Sequence, residues 1–283
     1  MAKERLGRER EGALERAEKL DALRLFKSKR VKDPEKDRAI RSEVFDEHTV
    51  NAVDALIRKK VIDCLSGVIA TGKEANVFLA FTLGSEPVAV KIYKLETSSF
   101  HSMSKYILGD PRFENIKRDR RSIVFNWCKK EFRNLQKATD AGVRVPMPLA
   151  FKDNVLVMEF IGSYDAKTDK ATPAWPLKNT PIPKGQEQVV FEKVVEFIAR
   201  LFYKAQLVHG DLSEYNVLVR IDSKGKLEPV LIDIGQGVLT SHPLAQELID
   251  RDIEKTAGFF SKIVKGVTPE SVREKVRAWE SRL

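Results

Sequence analysis

The sequence predicts an α+β fold in two lobes, and three observations carry that expectation. Short apolar runs with the density of buried strands occur at Val88-Ala-Val-Lys-Ile-Tyr93 and Val155-Leu-Val-Met-Glu-Phe-Ile161. A long helical pattern spans Gln186 to Gln206, with Val190, Val194, Phe197, Ile198, Leu201 and Phe202 on neighbouring positions. Two further helical stretches, Pro243–Phe259 and Glu270–Trp279, follow a polar loop and one more apolar run. The 283 residues, 42% hydrophobic and 32% charged, are ample for a core of that size, and they contain no internal repeat.

Three segments follow from these patterns. Residues 1–47 are expected to form a charged helical extension: positions 1–43 hold 14 basic and 10 acidic side chains, with only sparse apolar points such as Leu14 and Leu20. Residues 48–158 form the first lobe, opening on a helix that Thr49 could cap and that runs to Lys60 with Val50, Val53, Leu56 and Ile57 inward. Residues 159–283 form a hinge and the second lobe, in which 163–186, rich in Thr, Pro and Lys, reads as a long loop.

The chemistry is concentrated in Leu207-Val-His-Gly-Asp-Leu-Ser-Glu-Tyr-Asn216. The spacing His-x-Asp-x-x-x-x-Asn is the one by which kinase-like phosphotransferases surround a transferring phosphoryl group. Asp211 is then the acceptor of the attacking hydroxyl's proton, and Asn216 a metal ligand. Asp233 stands 22 residues after Asp211, at the end of Val230-Leu-Ile-Asp-Ile-Gly235, where a buried strand would deliver one carboxylate to chelate Mg²⁺. Ile234 takes the place of the aromatic residue usual after that Asp.

Upstream, Lys91 is a single charge in an apolar strand, a placement that demands partners: phosphate oxygens and a carboxylate. Ahead of it, Ala70-Thr-Gly-Lys-Glu-Ala-Asn-Val77 occupies the position of a phosphate loop, with Gly72 allowing close backbone approach and Thr71, Lys73 and Glu74 around it. By itself that segment also reads as a hairpin turn at Thr71-Gly72. Glu131 lies in a helical run with Trp127, Phe132, Leu135 and Ala138 and is the carboxylate favoured for Lys91, ahead of Glu114, which follows a Gly-Asp-Pro turn. Backbone groups of Glu159 and Ile161, with Met158 behind the ring, would receive a purine.

Ser66-Gly-Val-Ile-Ala-Thr-Gly-Lys-Glu-Ala-Asn-Val77, Val208-His-Gly-Asp-Leu-Ser-Glu-Tyr-Asn216 and Leu231-Ile-Asp-Ile-Gly-Gln-Gly237 together resemble the RIO family of atypical protein serine kinases, in the archaeal-sized form of its first subfamily. The resemblance covers about residues 48–260. It implies a bilobal protein-kinase-like fold with a reduced C-lobe lacking the peptide-binding helices. It also implies ATP with Mg²⁺ or Mn²⁺, Ser autophosphorylation, and work on precursors of the small ribosomal subunit (rRNA and proteins). A second chemistry comes with it: Asp233 as acceptor, forming an aspartyl-phosphate that water hydrolyses.

Departures from ordinary protein kinases agree. Gly210 stands where His-Arg-Asp carries its Arg, so a phosphorylated activation loop has no cationic receiver. Only 50 residues follow Asp233, and Thr268-Pro-Glu270 reads as cap, first-turn Pro and acid of a last helix.

Cys64 and Cys128 make neither a metal spacing nor a disulfide framework, which fits a reducing, cytoplasmic setting. No stretch approaches 18 apolar residues, so no membrane is expected. The net charge is +9, and eight basic residues face three acidic ones between Arg112 and Arg133. On the family resemblance this is a flexible loop near the γ-phosphate, with candidate autophosphorylation serines at Ser98-Ser-Phe-His-Ser-Met-Ser104; its charge suits rRNA phosphates, or simply solvent, and no DNA partner is expected. Two rival functions stay open: a small-molecule kinase of the aminoglycoside or choline type, and a non-catalytic module binding ATP and rRNA.

Overall fold

The computed structural model describes residues 44–96, 100–113, 117, 119–168, 170–221 and 225–282. Residues 1–43 of the extension expected over 1–47, together with Ser98, Ser99, Glu114 and the side chain of Ser102, lie outside the described residues.

Packing divides the chain into two compact units, one of residues up to 99 with 149–159, the other of 100–148 with 160–283. The first begins with α1 (Glu47–Arg58). Its cap is Asp46, whose carboxylate accepts from Thr49 N at 2.8 Å, and not Thr49 as the sequence suggested. Thr49 is already inside the first turn and fully buried, with Asn154 Nδ2 donating to its hydroxyl at 2.8 Å.

Strands β1 (Cys64–Thr71), β2 (Ala75–Phe81), β3 (Pro87–Tyr93), β4 (Pro148–Lys152) and β5 (Val155–Glu159) form a sheet in the order β1-β2-β3-β5-β4. The period of two sorts its faces. Phe78, Ala80, Val88, Val90 and Ile92 join Val53 and Leu56 of α1 in one core. Lys91, between Val90 and Ile92, therefore projects from the opposite face, paired in register with Val77 on one side and Leu156 on the other.

The second unit opens with α2 (Phe100–Ile107), a 3₁₀ turn at Pro111–Phe113 and α3 (Arg120–Asp140). Asp119 caps α3 through Ser122 N at 3.0 Å, so the basic stretch from Arg120 to Arg133 is helix rather than flexible loop. Residues 100–148, placed in the first lobe from the sequence, group by packing with the second unit. The cause is the inner face of α3, where Trp127, Lys130 and Asn134 meet the turn after Asp233.

Residues 163–186 are not one long loop: β6 (Gly162–Asp165) and β7 (Lys170–Pro173) pair as a hairpin, followed by β8 (Trp175–Pro176) and a 3₁₀ turn at Leu177–Asn179. Asp165 organises the reversal by accepting from Lys167 N at 2.9 Å and Thr168 Oγ1 at 2.7 Å. Helix α4 (Glu187–Ala199) buries Val190, Val194, Phe197 and Ile198 as its periodicity predicts, then widens into one π turn at Arg200–Lys204.

Next come β9 (Leu207–Val208), β10 (Val217–Ile221), β11 (Leu227–Leu231) and β12 (Val238–Leu239). β10 pairs with β11 and β8, while β9 pairs with β12. Helices α5 (Ala245–Phe260) and α6 (Pro269–Ala278) follow. Thr268 caps α6 with Pro269 at the first turn, and its capping-box partner is Ser271. Among the described residues, no helix is long and apolar enough to cross a membrane.

Removing the cap that the sequence misassigned should be measurable. Asp46→Ala is expected to lower stability by about 1 kcal/mol, read as a smaller urea midpoint, and a midpoint equal to wild type would show that the cap contributes nothing.

Candidate functional site

In the first unit, the β1–β2 reversal carries Thr71, Gly72, Lys73 and Glu74. Gly72 N donates to Ala75 O at 3.0 Å, and a Cβ on Gly72 would stand 3.0 Å from that same oxygen, so the turn is tight enough to favour glycine. Thr71, Gly72 and Lys73 are exposed; Glu74 is half-buried, and its carbonyl accepts from Lys94 N at 2.9 Å. The segment is a hairpin with an exposed backbone tip. Lys91 is half-buried, its ammonium 5.1 Å from the centre of the Tyr93 ring. Met158 and Glu159, both half-buried, end β5.

The chain passes into the second unit between Glu159 and Phe160. Ile161 is buried, and its carbonyl accepts from Ala174 N at 3.0 Å. Glu131, the expected partner of Lys91, belongs to this second unit, where it is buried on α3.

Here the loop from β9 to β10 brings Asp211 and Asn216 together. Asn216 Nδ2 donates to Asp211 O at 2.7 Å and lies 3.4 Å from Asp211 Oδ2. Lys255 of α5 donates to Asp211 Oδ1 at 2.9 Å, and both side chains keep about a third of their surface in solvent (39% and 34%). Gly210 adopts φ +79°, and a Cβ there would crowd Gln236 O at 3.2 Å, so the missing Arg has a conformational cause.

The loop is braced from α5. Asp252, 1% exposed, accepts from Gly210 N and Leu212 N, each at 2.8 Å. Burial pushes its carboxyl above the usual carboxylate range, while His209, the two N–H donors and Arg251 pull the other way. His209 is itself buried, with Nε2 3.0 Å from Ile232 O and Nδ1 accepting from Asp211 N at 3.3 Å.

Asp233 lies two residues beyond β11, exposed and left-handed (φ 59°, ψ 55°), and leads into a 3₁₀ turn at Ile234–Gln236 without a side-chain capping bond. A left-handed aspartate is strained by roughly 1 kcal/mol or more, a state found where function constrains backbone. The turn is gripped from α3. Lys130 donates to Gly235 O at 2.8 Å and to Gly237 O; Asn134 Nδ2 donates to Ile234 O and Gly237 O, each at 2.9 Å. Burial brings the Lys130 ammonium down to a pKa of about 7, with the charge of Arg112 adding to the effect and Asp110 opposing it.

Asn216 and Asp233 offer hard oxygen ligands, and no cluster of three or more His, Cys, Asp or Glu capable of holding a metal occurs among the described residues. That donor set fits Mg²⁺, which takes one or two protein oxygens alongside phosphates and water, rather than a metal held in an all-protein cage.

Asp252, Lys255, Lys130 and Asn134 were missed from the sequence. The available signal was an acid on the apolar face of α5, beside Leu248, Ile249 and Ile253, and a Lys and an Asn three and seven residues after buried Trp127.

Residues 76–272 match the RIO domain family. A RIO-type serine/threonine-protein kinase Rio1 of Haloferax volcanii is 43% identical over 233 residues, covering 82% of this chain and 75% of that protein. Its Methanocaldococcus jannaschii counterpart is 40% identical over 221 residues, covering 78% and 71%. Among solved structures, the Rio2 kinase–ADP/Mg²⁺–phosphoaspartate complex of Chaetomium thermophilum superposes with a TM-score of 0.58 at 20% identity, over 81% of this chain and 66% of that one.

Two outcomes follow from the buried charges. Asp252→Asn keeps one acceptor but sets an amide N–H against the second loop donor, so turnover should fall roughly 10–100-fold, the usual effect of losing an orienting partner; steady-state kinetics with unchanged rates would contradict the bracing role. Lys130 titrates near 10.5 when unfolded and near 7 when folded, so between those values the unfolded chain binds the extra proton. Its contribution to stability therefore rises with pH across that window, and Lys130→Met should flatten that part of the dependence in urea titrations at pH 7 and 9.

Proposed function

The chain belongs to the RIO family, in its Rio1 branch of atypical serine/threonine-protein kinases, and from that premise we propose that it transfers the γ-phosphoryl group of ATP to a serine hydroxyl. The observation that carries the reading is the loop in which Asp211, clipped by Asn216 at its carbonyl and by Lys255 at its carboxylate, stands on backbone held by Asp252. Asp211 orients the acceptor hydroxyl and takes its proton as the oxygen attacks phosphorus. Lys91 supplies a cation to the phosphates, and the exposed backbone of the Gly72 turn supplies N–H donors. Asn216 and Asp233 would hold Mg²⁺ or Mn²⁺, which neutralises charge on the phosphates during transfer. The backbone of the segment from Met158 to Ile161 would take the purine.

A second chemistry at the same turn is favoured by the exposure of Asp233. A carboxylate oxygen of Asp233 attacks the γ-phosphorus, the β–γ bridging bond breaks, and ADP leaves; water then cleaves the acyl phosphate, returning the carboxylate and inorganic phosphate. The chain would then act as an ATPase switch. The complex of the Rio2 relative with ADP, Mg²⁺ and phosphoaspartate is consistent with this.

For partners we propose small-ribosomal-subunit precursors in the cytoplasm. The net charge of +9 and the basic stretch at 112–133 support an rRNA contact, and the two buried cysteines, Cys64 and Cys128, suit a reducing compartment. Lys130 is buried and Arg112 is paired with Asp110, so Lys129, Arg120, Arg121 and Arg133 are the better candidates for such a contact.

Asp211→Asn should lower label transfer from γ-labelled ATP by roughly three orders of magnitude or more, as for removal of a group that acts in concert with its neighbours; transfer at the wild-type rate would refute the assignment. Hydroxylamine separates the two chemistries. Label released by it belongs to the acyl phosphate, and label that survives belongs to phosphoserine.

A further inference from the structure

The turn that follows Asp233 has no side-chain cap of its own, and its strained entry has to be maintained from outside. Helix α3 does this with two side chains one turn apart. Between them, Lys130 and Asn134 hold the carbonyls of Ile234, Gly235 and Gly237. We infer that Lys130 and Asn134 are positioning residues, which aim the Asp233 carboxylate at the metal by fixing the carbonyls of the turn behind it. The inference rests on the reading of Asp233 as a metal ligand.

Three further observations support an aiming role rather than simple packing. Asn134 is not free to rotate, because Arg112 Nη1 donates to its Oδ1 at 2.9 Å, and Arg112 is fastened in turn to the buried carboxylate of Asp110. Gly235 lies against the Trp127 indole, and a Cβ there would come within 3.0 Å of Nε1, so the turn sits on α3 with no room to drift. Finally, Lys130 is wholly buried beside that indole, its ammonium 5.3 Å from the ring. A buried amino group is expensive to desolvate, and an apolar side chain would fill the same volume without that cost. What Lys130 adds is a donor aimed at the carbonyls of Gly235 and Gly237.

The experiment compares wild type, Lys130→Met, Asn134→Ser and Asp233→Ala for Mn²⁺ affinity by electron paramagnetic resonance in the presence of ADP. None of these titrations depends on turnover. Thermal unfolding and metal-free ADP affinity are measured on the same samples. Lys130→Met should keep metal-free ADP affinity and bind Mn²⁺ at least tenfold more weakly; Asn134→Ser should show the same loss of Mn²⁺. If Asp233→Ala keeps wild-type Mn²⁺ affinity, the metal-ligand reading fails. If Asp233→Ala loses the ion while both α3 variants keep it, the positioning inference alone is overturned. A loss of Mn²⁺ that merely tracks a lower melting temperature and weaker metal-free ADP binding marks a general structural role and also overturns it. Should Lys130→Met not fold, Asn134→Ser decides between these outcomes.

Discussion

A carboxylate withdrawn from water holds this molecule's chemistry in place. Asp252 spends both of its oxygens on the backbone N–H groups of Gly210 and Leu212, either side of Asp211. An unpaired carboxylate at that depth would be strongly destabilising, so the loop and α5 are tied by mutual need. The loop's donors would be orphaned without Asp252, and Asp252 would be an unsatisfied charge without the loop. The left-handed Gly210 and the clip from Asn216 to Asp211 O depend on the backbone path that this exchange sets.

The same logic recurs at the Asp233 turn, with the signs reversed. There the backbone presents carbonyls, and α3 answers with an ammonium and an amide. Asp211 and Asp233 thus each sit on backbone whose polar groups are satisfied by a helix distant in sequence: Asp252 is 42 residues from Gly210, and Lys130 is 105 from Gly235. Both helices contribute buried charge at a position where an amphipathic pattern would lead one to expect an apolar side chain. Burial turns weak surface-type interactions into directional ones, because water no longer competes.

In the first unit the decisive constraint is the pleat. Val90 and Ile92 enter the core under α1, and Lys91 between them has no choice but the other face. That outcome was legible, since alternation in a strand is a local property. Local too were the periodicity of α4 and the Thr268-Pro269 start of α6. The α1 cap was misread because Asp46 and Thr49 are both competent caps, and only the burial of Thr49 against Asn154 distinguishes them. The β6–β7 hairpin was missed because its residues are polar, with the reversal organised by Asp165 rather than by an apolar alternation.

Spacing along the chain was enough to propose Asp211, Asn216, Asp233 and Lys91 as site residues, and each lies on or beside a short element whose length sets where its side chain emerges. Membership of the RIO family followed from those motifs. What the tertiary structure alone decided is which helices support them. Lys255, Asp252, Lys130 and Asn134 act across 40 to 107 residues of chain, and no local pattern records which backbone group a buried polar side chain will meet. Sequence periodicity reports which face of a helix is turned inward; the partner waiting there is settled only when the chain has closed on itself.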